Sequence, residues 1–234
     1  MSEEAVPVET PPLWRRALAE ALGTGLLVAV VVGSAAAAAR YSPDDVGLQL
    51  LENSIATGLG LAFIILMFQT VSGGHINPVI TLADRALGGT MKAAEIVVFI
   101  LAQILGGIGG TLLANAMFGA ATTISTSSRG TPENLLGEVV ATAGLVLLVF
   151  ALARTGRLAA IGPAVGAYIA AGFWFISSLS FANPALTLAR IFTDSIAGID
   201  PGSAWGYVGA ELVGAAIGVG LVLLFFPRKR AVVS

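Results

Sequence analysis

Apolar residues dominate the chain in six long runs that charged residues rarely interrupt. About 20 apolar residues of helix cross the hydrocarbon core of a bilayer, and each run is of this order or longer. The pattern therefore predicts six membrane-spanning helices. They are Leu13–Ala39, Gln49–Val71, Ala93–Phe118, Leu135–Ala153, Leu158–Ser178 and Trp205–Phe226.

Two shorter apolar segments each begin at an Asn-Pro pair, at Asn77–Leu87 and Asn183–Phe192. Ten residues of helix rise only about 15 Å, half of the ~30 Å hydrocarbon core, so neither segment crosses alone. Asparagine is favoured at a helix N-cap and proline at the first helical position, so each pair predicts a half-helix that starts inside the membrane. The irregular chain before such a start survives only where it is buried in protein or lines a watery cavity.

The second half of the chain repeats the first. HINPVITLADR at 75–85 returns as SFANPALTLAR at 180–190, and Glu-x-x-x-Thr occurs in the first and in the fourth span. Three spans per repeat force the two copies into opposite orientations, which predicts an inverted repeat over 13–118 and 133–226. The two half-helix starts should then meet at mid-membrane.

Glycines at four-residue spacing recur at matching places in the third and sixth spans, as Gly106/Gly110 and Gly214/Gly218. Small residues at this spacing let helix backbones approach closely in a membrane, so they predict two tight helix pairs.

Composition agrees with a multi-pass membrane protein and excludes several other classes. Of 234 residues, 56% are apolar and 11% charged, against about 25% charged in soluble domains. A net charge of −2 without a basic stripe argues against a nucleic-acid partner. Zero cysteines and one histidine argue against disulfides and a metal site, and no nucleophile–base pair or phosphate loop is present. We therefore expect no enzyme activity, metal or cofactor.

Lysine and arginine predict the orientation. With six spans, nine basic residues fall on the side of both termini and three (Arg40, Arg129 and Arg190) on the opposite side. The positive-inside rule places both termini in the cytoplasm. Residues 1–12, acidic and proline-rich, predict a disordered tail, and residues 227–234 predict a basic cytoplasmic tail.

With these motifs placed, the chain resembles the aquaporins, the major intrinsic protein family. SGGHINPVITL resembles the family's first SGxHxNPAVT motif, SFANPALTL resembles its second NPA box, and AEALGTGLLVAVVVGS resembles its first helix. The resemblance covers essentially the whole chain. It implies an all-α membrane protein with six spans and two re-entrant half-helices. It also implies a homotetramer, in the plasma (inner) membrane, that passes water and small neutral solutes passively.

The resemblance assigns roles around the two boxes. Two asparagine carboxamides and two positive helix ends should offer donors to a neutral solute and repel cations. The residues of the central constriction are Asn77, Pro78, Val79, Asn183, Pro184 and Ala185. Carbonyl groups along the pore are expected from Gly73, Gly74, His75, Leu179, Ser180 and Phe181. The residues expected to support the irregular segments are Glu20, Glu138, Gln103 and Glu211.

The selectivity filter is where the chain departs from the family. Aquaporins normally carry arginine directly after the second NPA, and here that place is Leu186. Counting from the boxes gives Thr57, Ala171 and Ser180 as the other filter positions. Such a set implies a wide, uncharged outer mouth that passes glycerol and leaks protons or cations more than usual. It also resembles arginine-lacking aquaporins associated with bacterial arsenic resistance, which suggests arsenite or methylated arsenicals.

Two alternatives stay open. Arg190, one turn beyond Leu186, is interpreted as a surface arginine beside Asp194. If it reaches back to the mouth instead, the chain would be a water-selective aquaporin. Glu20 and Glu138 are intramembrane carboxyl groups, which are costly and often functional, so a proton-coupled transporter is the second alternative. Their mirrored placement favours a structural role, as acceptors for N–H groups of the irregular segments.

Overall fold

The computed structural model describes residues 10–227, and within that range it contains helices and connecting loops but no strand. The tails predicted at 1–12 and 227–234 lie almost entirely outside the described residues. Single 3-10 turns occur at Leu158–Ala160 and Arg190–Phe192. The α-helices are α1 Leu13–Tyr41, α2 Val46–Ser72, α3 Pro78–Ala86, α4 Ala93–Phe118, α5 Pro132–Arg154, α6 Ile161–Phe175, α7 Pro184–Ala189 and α8 Pro201–Phe225.

Six helices are long and apolar enough to cross a membrane, which confirms the predicted span count. Prediction and structure differ most at the fifth span. This segment begins with the 3-10 turn, becomes α-helical at Ile161 and ends at Phe175, three residues before the predicted Ser178. The helix stops because Ile176 takes an extended conformation, which starts the irregular segment that leads to Asn183.

The long helices pair in the same way in both repeats. Helix α4 packs on α1, and α8 packs on α5. A Cβ on Gly106 would overlap the carbonyl oxygen of Ala21 in α1, and a Cβ on Gly214 would overlap the carbonyl oxygen of Val139 in α5. Both helix pairs therefore require glycine where their backbones touch.

The two short helices, α3 and α7, have nine and six residues and cannot span a bilayer. Asn77 caps α3, its Oδ1 accepting the N–H of Val79 at 3.0 Å. Asn183 caps α7 in the same way, accepting the N–H of Ala185 at 3.1 Å. Helix α3 packs on α8, helix α7 packs on α4, and α3 and α7 also touch each other. Each half-helix thus contacts helices of both repeats, and their starts meet inside the protein.

Candidate functional site

Two irregular segments lead into the half-helices, and we call them the first approach (73–76) and the second approach (179–182). Both contain residues in the left-handed region, which non-glycine residues rarely adopt. Ile76 and Ala182, each directly before an asparagine, have φ of 52° and 47°. This backbone turns peptide groups away from any regular hydrogen-bonding ladder, so side chains must supply partners.

Glu20 supplies those partners for the first approach. Its two oxygens accept the backbone N–H of His75 at 3.0 Å and of Ile76 at 2.6 Å. They also accept the Ser72 hydroxyl at 2.6 Å and the Gln103 amide at 2.7 Å. Glu20 is fully buried, and so its carboxylate is tied to helix α4 and to the segment that it supports.

Glu138 and Glu211 do the same for the second approach. Glu138 accepts the backbone N–H of Phe181 at 2.9 Å and of Ala182 at 2.7 Å. Glu211 accepts the N–H of Asn183 at 3.1 Å and the hydroxyl of Thr187 at 2.7 Å. The four polar residues predicted as support therefore all contact the approaches or one another.

The carboxamides of Asn77 and Asn183 link the two approaches. Asn77 Nδ2 donates to the Ala182 carbonyl at 2.7 Å, and Asn183 Nδ2 donates to the Ile76 carbonyl at 2.9 Å. The sequence predicts that both N–H groups of each amide point outward. One N–H of each instead fixes the opposite approach, which leaves one per asparagine for a passing solute.

One cavity of about 210 Å³ contains both asparagines in its wall. Asp84 and Leu158 line one end of this cavity, and Phe173 and Arg190 line the other. The predicted site residues that line it are Asn77, Asn183, Thr57, Leu186, Gly73, Gly74, His75, Leu179, Ser180 and Phe181. The single histidine also holds Thr81, with His75 Nδ1 3.1 Å from its hydroxyl.

Four members of the predicted central constriction lie elsewhere. Pro78, Val79, Pro184 and Ala185 are buried but are not part of the cavity wall. They occupy the first turns of α3 and α7, where side chains pack against neighbouring helices while the capping asparagines face the cavity. Of the residues predicted for the central constriction, the cavity wall therefore contains the two asparagines but not these four.

Ala171, predicted as a filter residue, does not lie at the cavity. It is exposed on the outer face of α6. The inward face of this helix carries Val165, Ile169 and Phe173 at helical spacing, and all three line the cavity. Counting from the second box fails here because the chain between α6 and Asn183 is irregular. Phe173 therefore brings an aromatic ring to a mouth predicted to have none.

Arg190 overturns the prediction of an uncharged mouth. It is 5% exposed, lines the cavity and makes no ion pair with Asp194, which instead accepts hydrogen bonds from Thr126. Its Nε donates to the Ala197 carbonyl, and its guanidinium carbon lies 3.5 Å from the centroid of the Phe181 ring. The interpretation as a surface arginine is wrong because Phe181 and Ala197 hold the side chain inward, which is the placement that the water-selective alternative requires.

Sequence reasoning missed several residues around this end. Arg129 donates to the carbonyls of Ile196 and Gly198 and lies 5.8 Å from the Phe181 ring. Tyr207 packs against the Phe181 ring edge-on, with ring centroids 5.1 Å apart. Thr81 and Thr187, which occupy matching places in the two boxes, could have been found from the repeat. Thr81 accepts a hydrogen bond from Gln103, and Thr187 donates one to Glu211. No sequence pattern indicated the positions of Arg129 and Tyr207.

Comparison with known proteins agrees with this geometry. The profile of the family described as "MIP: Major intrinsic protein" matches residues 7–222. "Aquaglyceroporin AqpS" of Rhizobium meliloti (strain 1021) is 42% identical over 222 residues, 94% of each chain. "Probable aquaporin TIP2-2" of Oryza sativa subsp. japonica is 33% identical over 88% of this chain and 84% of its own.

A solved structure shows the same fold. The aquaglyceroporin from Plasmodium falciparum superposes with a TM-score of 0.72, at 19% identity, over 90% of this chain and 96% of its own. The six spans and two half-helices of this chain therefore share the fold of that protein. The chain belongs to the major intrinsic protein family, and it is a passive membrane channel for water and small solutes rather than an enzyme.

Proposed function

We propose that this channel conducts water and small neutral polyols, glycerol above all, through an outer constriction built by Phe173 and Arg190. The observation that carries this proposal is that both side chains line the same cavity as Asn77 and Asn183. The similarity to a protein named as an aquaglyceroporin supports the same substrate class.

The chemistry of the constriction suits a polyol, which has a hydroxyl edge and a hydrocarbon edge. Arg190 uses Nε on Ala197, and within the described chain its terminal nitrogens make no hydrogen bond to protein. Those N–H groups are donors for hydroxyl oxygens. Phe173 and Leu186 offer an apolar wall for the carbon chain. A site of this kind binds amphipathic neutral molecules better than ions.

Two hydroxyl groups at the same end favour a wet passage. Thr57 Oγ1 and Ser180 Oγ are buried and have no hydrogen-bond partner in the described protein. Buried polar groups are normally satisfied, by protein or by water, so these two are suited to passing water or solute hydroxyls. Thr57 and Ser180 both line the cavity.

Leu186 keeps arsenite among the candidate solutes. Undissociated arsenite is a small neutral trihydroxy compound, so the same donors and wall can accommodate it. Leucine at the place where the family carries arginine leaves room that an arginine would fill. We treat arsenite and its methylated forms as secondary solutes, tested beside glycerol.

Orientation and assembly belong to the same proposal. The basic residues support cytoplasmic termini in the inner membrane, and Arg154 at the end of α5 bonds the Phe226 carbonyl at the end of α8, on one side of the protein. Family resemblance supports a homotetramer. Large apolar side chains cover the outer faces of the described helices, as lipid or neighbouring subunits require.

The proton-coupled transporter is less well supported. Glu20 and Glu138 are fully buried, and neither lines the cavity. Their oxygens are occupied by backbone N–H groups, so neither is placed to pick up a proton from a passing solute.

Stopped-flow light scattering on proteoliposomes tests the proposal with gradients of glycerol, urea and arsenite and with a water-only osmotic shift. Wild type should reswell in glycerol, and Leu186→Arg should slow glycerol more than water because it narrows the mouth. Shrinkage without reswelling in glycerol would instead favour the water-selective alternative. Saturable uptake that a protonophore abolishes would favour the transporter.

A further inference from the structure

The support group of the second repeat contains two carboxyl groups side by side. Glu138 accepts the backbone N–H of Phe181 and Ala182, and Glu211 accepts the N–H of the next residue, Asn183. Because the three amides are consecutive, the two carboxyl groups lie next to each other. Both residues are fully buried in the described protein.

The first repeat places an amide where the second places an acid. Gln103 Nε2 donates to Glu20 Oε2 at 2.7 Å, so a neutral donor meets a carboxylate there. Glu211 occupies the corresponding position in α8, because AQILGGIGG in α4 aligns with AELVGAAIG in α8. A carboxylate has no hydrogen to donate, and two acceptors would then face each other.

The surroundings of the pair do not correct this mismatch. Glu211 Oε2 is buried without a hydrogen-bond partner. The only ion pair among residues 10–227 joins Arg16 to Glu95 on the other repeat. Arg190 and Arg129 lie nearby, but both donate to backbone carbonyls rather than to either carboxylate. Two like charges in contact and out of water do not both remain ionised.

We propose that Glu138 and Glu211 hold one proton between them, so that Glu211 acts as the hydrogen-bond donor that Gln103 is in the first repeat. The site is a buried proton-binding site outside the pore wall, since neither residue lines the cavity. It does not depend on which solute passes. Through its bonds to Asn183 N and Thr187, Glu211 is a positioning residue for the start of α7.

The proton makes the start of α7 sensitive to alkaline pH. Loss of the proton would leave two facing carboxylates, and their repulsion would pull Glu211 from Asn183. The charged or titratable groups that face the pair are Tyr168 of α6, Arg190 after α7, Arg129 of the loop before α5 and Tyr207 of α8. Arg190 and Arg129 stabilise the negative charge that remains on the pair, but they provide no proton in this pH range.

Infrared spectroscopy of the full chain in liposomes tests the proposal directly. A neutral carboxylic acid has a C=O stretch that is separate from the carboxylate bands. We expect wild type to show one such buried band near neutral pH and to lose it as the pH rises. Glu211→Gln should abolish the band, and the matched variant Gln103→Glu should add a second one.

Water permeability provides a functional readout on the same samples. Glu211→Gln should stay within about twofold of wild type near neutral pH, since the swap conserves volume and restores a donor. We also expect wild-type water permeability to decline at alkaline pH, and Glu211→Gln should remove that decline. A wild-type spectrum without the band near neutral pH would overturn the proposal, whether or not the variants fold. A band that survives unchanged in Glu211→Gln would overturn it as well.

Discussion

The two approaches perform the same task with different residues. The first places glycine at two of its three left-handed positions, Gly73 and Gly74, and only Ile76 there carries a side chain. The second has three such positions, Leu179, Ser180 and Ala182, and no glycine among them. Each left-handed non-glycine residue costs about 1–3 kcal/mol. The second approach is therefore the more strained one, and it borders the end of the cavity where Phe173 and Arg190 would select solutes.

This difference teaches where the fold places its strain. At Gly73 and Gly74, next to His75, the left-handed backbone causes little strain because glycine has no Cβ. Under the proposed function, the second approach needs side chains to select solutes: Ser180 offers a hydroxyl, and Phe181 supports Arg190. Carboxyl groups on α5 and α8 then stabilise a backbone that would not hold this shape alone.

The largest expected effect comes from removing the carboxylates that hold the approaches. Glu138→Ala leaves two buried N–H groups without an acceptor, at about 1–3 kcal/mol each. We expect it to lower thermal stability in detergent and water permeability more than Glu20→Ala does, because Glu138 supports the more strained segment. Thermal unfolding and stopped-flow measurements on both variants make the comparison. A greater loss in Glu20→Ala would reverse our ranking of the two approaches.

Arg190→Leu should have the next largest effect, on ion exclusion. Removing the guanidinium takes away the one arginine that residues 10–227 contribute to the cavity wall, and leaves the helix ends to repel cations. We expect the proton leak to rise roughly tenfold, which corresponds to the loss of a charge-assisted interaction of about 1.4 kcal/mol. A liposome pH dye measures it. The control is Arg85→Leu, the exposed arginine at the end of α3, which should leave the leak unchanged. Equal leak in Arg190→Leu and wild type would remove Arg190 from the filter.

Phe173→Ala should alter solute size selection by a smaller amount. The ring lines the cavity, so its loss widens the mouth and should favour larger polyols over glycerol by a few fold. Trp174→Ala is the matched control, since the neighbouring ring is 55% exposed on the outside of the helix. Erythritol and glycerol uptake, compared in the same liposomes, separate the two variants. An identical ratio in both would place the size barrier elsewhere.

The smallest predicted effect concerns the backbone itself. Gly73 has φ of 95°, where alanine is strained, so Gly73→Ala should lower the free energy of unfolding by about 1–2 kcal/mol. Ser180 has φ of 55°, and Ser180→Gly should raise it by about 0.5–1 kcal/mol by relieving strain. Thermal unfolding of the pair measures both signs. Destabilisation by Ser180→Gly would mean that its side-chain contacts outweigh the strain.

Sequence patterns predicted the fold closely where local signals set the boundaries. Helix α4 begins and ends at the predicted residues, since Gly119 terminates it in a left-handed conformation. Helix α6 was predicted three residues too long because an apolar sequence continues through the turn toward the second approach. Its end depends on a tertiary path rather than on composition.

The candidate site was predictable only where motif distance or helical spacing determines position. Both asparagines follow from their boxes, and Phe173 could have been found four residues after Ile169 on the inward face of α6. The inward direction of Arg190 could not be found in this way. It depends on a carbonyl at Ala197 and a ring at Phe181, which the folded loop alone brings together.

The contact between Gly106 and the Ala21 carbonyl has a mechanical consequence. Where the main chains of two helices touch, no flexible side chains lie between them, so one helix cannot easily slide along the other. The second repeat has the same kind of contact through Gly214. We expect each repeat to be stiff within itself. Across the repeats, Gly166 of α6 touches the Gly58 carbonyl of α2 in the same way, so the two halves should form one stiff frame. A transporter that opens alternately to each side needs its halves to rock, so this frame is suited to a conduit whose two mouths stay open together.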